Sequence, residues 1–174
     1  MDNSIAKEIK ESFSDLISQL SSLDQEHLNI VPFEGSWTAG QLGDHLRKSY
    51  DIAGVLKGKT KETDRDPDEK AREITDLFLN FDIKMKSPDF ILPTNGAVIK
   101  EELLGEIKER SDLIVKIAST EDLSLLCLDF ELPNTGFMTR FEWISFVNVH
   151  TIRHNWQLRN IIKKLPFKTG GTPE

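Results

Sequence analysis

The stretch VHTIRHNW, Val149 to Trp156, decides how this sequence folds and where its chemistry is expected to lie. It follows FEWISFV and precedes QLRNII, so one apolar helical pattern runs through it. Two of the four histidines of the chain, His150 and His154, stand four positions apart in this pattern. Positions four apart on an α-helix differ by about 40° in direction and about 6 Å in height. The stretch therefore predicts a core-facing helix that carries two imidazoles on its inner face.

Three other segments have the same helical period, and together the four predicted helices cover residues 4–23, 38–56, 100–117 and 139–164. Capping boxes mark two of their starts, Thr38 with Gln41 and Thr139 with Glu142. A shorter helix is expected within residues 66–82, and Pro, Asn and Gly predict ordered loops over 85–96 and 127–137. No alternation is long enough for a sheet. The sequence therefore predicts an all-α fold, a four-helix bundle with long connections and a short extra helix.

The composition is that of an ordinary globular protein, with 174 residues, 38% hydrophobic residues and a formal net charge of −7. We expect a single domain over residues 1–174, with 166–174 as a flexible tail because Pro166 and a Gly-Gly pair end the last helix. The acidic balance argues against a nucleic-acid partner, and no apolar run approaches the length that spans a membrane. The N-terminus does not read as a secretory signal, and the lone Cys127 suits a reducing cytoplasm and a buried apolar position.

A third histidine, His45, lies between Leu42 and Leu46 on the second predicted helix and should also face inward. Metal sites in helical bundles are built from side chains on facing helices, and three neutral imidazoles suit zinc, nickel or iron. Helical histidine pairs also occur as ordinary core residues, so the pattern alone leaves both interpretations open. Thr151 stands where a zinc protease of the H-E-x-x-H type has its glutamate, and His27 is expected to be a surface residue in a loop.

Two motifs, WTAGQLGDHL and HTIRHNWQL, lie about a hundred residues apart and resemble those of the DinB/YfiT-like superfamily. That family is a four-helix bundle with a three-histidine divalent-metal site, a Trp-Ser/Thr start to its second helix and an H-x-x-x-H pair on its fourth helix. The matching positions in this sequence are Trp37, Thr38, His45, His150, His154 and Gln157. The resemblance covers essentially the whole chain, and it implies a metal site formed by the three histidines.

The resemblance implies three classes of function. The superfamily includes transferases and isomerases that use low-molecular-weight thiols such as bacillithiol, and also metal-dependent hydrolases. We expect thiol-dependent transferase activity first, with a hydrolase or a non-catalytic metal-binding or ligand-binding bundle as alternatives. Gln157 could orient His154 or a ligand, Arg153 could bind an anionic substrate, and Asp44 could accept a hydrogen bond from an imidazole. A position in solvent is an equal alternative for Gln157 and the preferred interpretation for Arg153 and for Asp44, which points about 100° away from its neighbour His45 on the helix.

The expected cofactor is one divalent ion, zinc or nickel first and iron or manganese next, with a small thiol as cosubstrate. The expected partner is a small-molecule substrate, without nucleic acid or membrane. A homodimer is left open, and the sequence names neither the substrate nor the metal.

Overall fold

Helices dominate the computed structural model, which describes residues 4–166. The α-helices are α1 (Ser4–Ser21), α2 (Gln25–Leu28), α3 (Ala39–Ser49), α4 (Ala53–Lys57), α5 (Ala71–Phe78), α6 (Lys100–Thr120) and α7 (Arg140–Ile162). Short 3-10 turns cover Tyr50–Ile52 and Asp89–Ile91, and two short strands are β1 (Thr60–Lys61) and β2 (Leu126–Cys127). The predicted all-α fold is confirmed. The predicted flexible tail lies outside the described residues except for Pro166.

The bundle is formed by α1, α3 with its continuation α4, α6 and α7. α1 packs along both α6 and α7, and α3 packs against the other side of the same two helices. The inner faces supply an apolar core in which Ile9, Leu16, Leu46 and Ile114 are fully buried. Burial of these faces is the main force that holds the helices together. A Cβ at Gly43 would lie 2.8 Å from Leu103, so glycine permits the close approach of α3 to α6.

Both predicted capping boxes are present at the starts of α3 and α7. In each, a threonine hydroxyl accepts from the third backbone N–H of the helix, and the side chain at that position accepts from the threonine N–H. The prediction of one continuous second helix to Leu56 was wrong in detail, because a 3-10 turn separates α3 from α4. This turn places Tyr50 in the core, where its hydroxyl lies 2.9 Å from the Thr151 hydroxyl of α7.

The long connections fold back on one side of the bundle. The predicted extra helix is α5, and it packs against α7. The expectation of no sheet was wrong, because β1 and β2 form an antiparallel pair in which Thr60 is opposite Cys127. Two residues per strand are too few to show an alternating pattern in the sequence. Cys127 is fully buried, as expected. The segment after α5 continues beside α7 and forms one wall of a cavity that the histidines of α7 also line.

Candidate metal centre

The three predicted histidines meet inside the bundle. His45 comes from α3, and His150 and His154 come from consecutive turns of α7. The Nε2 atom of His45 lies 3.2 Å from Nε2 of His150 and 3.1 Å from Nε2 of His154, and the last two atoms are 3.0 Å apart. All three side chains are buried. The helical spacing and the packing of α3 on α7 therefore bring three ring nitrogens to one point.

His45 is held in one orientation by the loop that follows α5. Its Nδ1 lies 2.9 Å from the backbone oxygen of Ile91, in the 3-10 turn Asp89–Ile91. A carbonyl oxygen only accepts, so Nδ1 carries the hydrogen and Nε2 of the neutral ring presents a lone pair. The Trp37 ring packs against the imidazole, with ring centroids 5.2 Å apart. The sequence motif placed Trp37 near the site, but no local signal indicated Ile91.

Burial keeps all three rings neutral. It lowers the pKa of His45, although the hydrogen bond to Ile91 acts against this, and it lowers the pKa of His150 well below the ordinary value. Burial and the neighbouring His45 lower the pKa of His154 to about 3, although the nearby side chain of Gln157 acts in the opposite direction. The positive charge of Arg153 also lowers the pKa of His150 and of His154. Neutral imidazole is the form that binds metal.

The arrangement fits a divalent ion. Two nitrogens that each lie about 2.0–2.1 Å from a tetrahedral zinc are about 3.3 Å apart, close to the 3.0–3.2 Å between the Nε2 atoms here. The Nδ1 atom of His150 has no hydrogen-bond partner in the described part of the chain. Among the described residues, this cluster is the one whose His, Cys, Asp or Glu ligand atoms are grouped closely enough to hold an ion.

The histidines lie at the base of a cavity of about 1670 Å³. Aromatic and aliphatic side chains form most of its walls, including Phe78, Phe146, Trp143 and Ile91. The ring of Phe146 stacks on His150, with centroids 5.5 Å apart and an interplanar angle of 18°. The site is therefore a polar point at the bottom of an apolar cavity, which is the usual form of a small-molecule site.

The predicted neighbours of the histidines occupy different places. Gln157 lines the cavity and raises the pKa of His154, so it lies beside the cluster, and its role in orienting His154 or a ligand stays a prediction. The preferred interpretation of Arg153, a solvent-facing residue, was wrong. Its guanidinium donates to the backbone oxygens of Phe78 and Asn80, at 3.0 and 2.9 Å, and to that of Ile83. Arg153 is buried and ties the cavity wall to α7.

Asp44 was also expected in solvent, and this was wrong because the connection before α6 covers it. One carboxylate oxygen accepts from Arg47 at 2.7 Å, and the other accepts from the backbone N–H of Thr94 at 2.8 Å. These hydrogen bonds outweigh burial and lower the pKa of Asp44 to about 2. The imidazole N–H of His45 bonds to Ile91 instead. Asp44 therefore anchors the loop that carries Ile91 and does not contact the ring directly.

His27 lies away from the cluster. It belongs to the short helix α2, where a loop was expected, and its Nδ1 lies 2.9 Å from the Asp24 carboxylate. The hydrogen bond to Asp24 raises the pKa of His27, whereas burial lowers the pKa of each clustered histidine. His27 is therefore a natural internal control for the other three histidines.

The fold and the site define a helical bundle with a buried three-histidine centre open to a cavity. The family model of the DinB superfamily matches residues 8–158, and the chain belongs to that superfamily. The uncharacterized protein YuaE of Bacillus subtilis (strain 168) is 28% identical over 155 residues, which are 85% of this chain and 91% of the relative. No solved structure matches the chain significantly. None of the helices in residues 4–166 is long and apolar enough to cross a membrane.

Proposed function

We propose that the protein is a divalent-metal-dependent transferase that joins a small thiol to an electrophile bound in the cavity. His45, His150 and His154 are the proposed ligands, with zinc or nickel as the proposed ion. The observation that carries the proposal is the convergence of three neutral Nε2 atoms at the base of the cavity. A structural zinc site is usually closed by four protein ligands, whereas three ligands leave a position for a reactant.

When bound, a zinc or nickel ion supplies Lewis acidity, which lowers the pKa of a coordinated thiol or water. The protein's own groups orient the ligands and exclude water. Ile91 fixes the orientation of His45, and Phe146 stacks on His150. All three ligands are neutral, so the charge of a divalent cation would not be reduced by the protein. Such a centre favours an anionic reactant, and the nearby Arg153 adds to the same field.

Transfer of a thiol is favoured over hydrolysis by the residues around the site. Hydrolases of the H-E-x-x-H type use a carboxylate as general base beside the metal. Asp51 is the only carboxylate among the described residues that line the cavity, and it pairs with Arg110 at 2.8 Å. The protein's own thiol is not a candidate nucleophile, because burial raises the pKa of Cys127 to about 11. The thiol is therefore proposed to be a small molecule.

Metal content and thiol chemistry test the two parts of the proposal. Elemental analysis of protein loaded with zinc or nickel should find about one ion per chain, and His150→Ala should lose most of the affinity. The matched control is His27→Gln, which should keep it because His27 lies outside the cluster. Absence of metal from the wild-type protein would contradict the metal part.

For the second part, the spectrum of the cobalt-substituted protein should change when a small thiol is added. Thiol-dependent turnover of chlorodinitrobenzene should be abolished in His45→Ala and retained in His27→Gln. A cobalt spectrum that ignores thiols would contradict the transferase and favour a hydrolase or a non-catalytic binding protein.

A further inference from the structure

Positive charge is concentrated around the cavity, although the whole chain has a formal net charge of −7. Seven of the described residues that line the cavity are lysine or arginine, against one carboxylate, Asp51. That carboxylate is already paired with Arg110, which is not among the lining residues. The local balance of charge is thus opposite to that of the protein as a whole.

Two of the seven cations are neutralised by the protein itself. Arg47 forms ion pairs with Asp44 and Glu106, at 2.7 and 2.9 Å, and Lys48 lies 3.2 Å from Asp44. The other five have no carboxylate within ion-pair distance in the described part of the chain, and they are Lys84, Lys86, Arg153, Lys163 and Lys164. Arg153 is buried and bonds only neutral carbonyl oxygens, so its charge is also uncompensated.

The unpaired lysines come from two segments on the cavity's edge. Lys84 and Lys86 lie on the wall that follows α5, and Lys163 and Lys164 lie just beyond the end of α7. All four are exposed, whereas the histidines lie at the buried base. Apolar side chains such as Phe78, Ile83 and Trp156 line the same cavity. The cavity therefore combines an apolar interior with a cationic edge.

We infer that the cavity binds an amphipathic acid, a molecule with an aromatic or alkyl body and a carboxylate, sulfonate or phosphate group. The body lies against the apolar walls, and the acidic group faces Lys84, Lys86, Lys163 and Lys164. The inference rests on the proposed function for the role of this molecule as the electrophilic substrate. A neutral apolar molecule would leave these four lysines without an anionic partner, although Lys164 also lies over the Phe33 ring, and a small polar acid would leave the apolar walls exposed to water.

A matched pair of fluorescent probes tests separately the apolar body and the acidic group of the inferred ligand. The anion 8-anilinonaphthalene-1-sulfonate and the neutral N-phenyl-1-naphthylamine share one ring system and differ by the sulfonate group. All three tryptophans of the chain, Trp37, Trp143 and Trp156, line the cavity, so energy transfer from tryptophan reports binding of either probe. Both dissociation constants are measured on the full-length, metal-loaded protein at low salt and again at high salt.

Two variants remove the same number of positive charges from different places. The test variant carries Lys84→Gln, Lys86→Gln, Lys163→Gln and Lys164→Gln. The control variant carries the same change at four exposed lysines that do not line the cavity, Lys7, Lys10, Lys57 and Lys116. Metal content is measured on every sample, so that the metal and the acid-binding edge are judged separately.

The wild-type protein should bind the sulfonate at least about tenfold more tightly than the neutral probe, and added salt should reduce this preference. The test variant should lose the preference while its affinity for the neutral probe stays within about twofold, and the control variant should keep the preference. Equal binding of both probes by the wild type, or an unchanged preference in the test variant, would overturn the inference even where metal is bound. A preserved preference in protein that takes up no metal would instead uphold the acid-binding site and overturn the proposed metal-dependent function.

Discussion

Helix α7 carries two buried polar clusters, and their hydrogen-bonding needs are met in different ways. Near the start of the helix, the Glu142 carboxylate accepts from Arg65 at 2.6 Å through each oxygen, and also from the backbone N–H groups of Lys70 and Thr139. About 12 Å further along the helix, the three histidines direct their Nε2 atoms at one another. In the first cluster each carboxylate oxygen accepts hydrogen bonds from donors of the protein. In the second cluster the ring nitrogens face one another without such donors.

This difference separates a structural cluster from a functional one. A carboxylate that is fully hydrogen-bonded by the protein needs no ligand, and its removal leaves buried donors unpaired. A group of ring nitrogens without protein donors is stabilised by a bound cation instead. We therefore expect changes at Glu142 to affect folding and changes at the histidines to affect binding.

The largest expected effect on stability is that of Glu142→Ala. The change leaves the half-buried guanidinium of Arg65 and two backbone N–H groups without their acceptor. Loss of one partner of a buried ion pair costs about 3–5 kcal/mol. Because Arg65 is partly exposed, we expect the lower end, about 3 kcal/mol, which for a domain of this length lowers the melting temperature by about 6–12 °C. Calorimetry measures the shift, and the affinity for zinc at a temperature where the variant is folded should change by less than about twofold.

Glu109→Ala is the control for this change, because Glu109 is an exposed residue of α6. It should alter the stability by no more than about 0.5 kcal/mol. If Glu142→Ala weakened zinc binding as strongly as His150→Ala does, the two clusters would be coupled and the comparison would fail.

The next effect is the stabilisation of the folded protein by metal. The apo protein should be folded, because the apolar faces of four helices supply its core. At a free metal concentration one hundred times the dissociation constant, binding adds about 2.7 kcal/mol, or about 5–11 °C in melting temperature. His150→Ala should show no such shift, and Glu142→Ala should show the full shift from its lower starting point. An apo protein unfolded at room temperature would make the metal structural.

The smallest effect is the dependence of apo stability on pH. The folded pKa of His154 is about 3, against 6.5 for the ordinary side chain. Between these two pKa values His154 is protonated in the unfolded chain and neutral in the folded protein. The free energy of unfolding is therefore highest above pH 6.5 and decreases as the pH falls toward 3. At pH 5.5 the loss from His154 is about 1.4 kcal/mol. His150 and His45 contribute with the same sign, since burial also lowers their pKa.

Urea unfolding of metal-free protein at pH 7.5, 6.5 and 5.5 measures this effect, and His154→Leu should make the dependence shallower. The carboxylate of Asp44 affects stability only at lower pH. Because its pKa is about 2, its contribution to the free energy of unfolding decreases below about pH 4. His27 acts with the opposite sign, because its hydrogen bond to Asp24 raises its pKa. An identical pH dependence in wild type and His154→Leu would show that the buried ring does not titrate as described.

The parts of the site that could be predicted from the sequence are those fixed by helical geometry. The spacing of His150 and His154 and the apolar neighbours of His45 were sufficient to direct all three rings inward, because each helix has a strong local pattern. The Thr139 and Glu142 capping box was predicted for the same reason. That Glu142 also binds Arg65 was not, since Arg65 is 77 residues away and lies in a connection without a pattern.

The contacts that could not be predicted from the sequence depend on how the connection after α5 folds over the bundle. Ile91 reaches His45, Thr94 covers Asp44, and the segment 78–83 accepts hydrogen bonds from Arg153. Each of these contacts joins residues that are 46 to 75 positions apart. The exposure of Asp44 was predicted from its angle to His45 on the helix, and that of Arg153 from the usual preference of arginine for solvent. Both predictions were wrong because a second layer of chain covers these residues.

The hydrogen bonds between Arg153 and the cavity wall have a consequence for how the sequence of this protein can change in evolution. The guanidinium holds the wall by three backbone oxygens, of Phe78, Asn80 and Ile83, and every amino acid offers that atom. Side chains on the wall can therefore be exchanged while its main chain stays anchored beside His154. Selection can thus change which molecules the cavity accepts without moving the reactive centre, so the wall is the place where new specificities can arise at little cost to the fold.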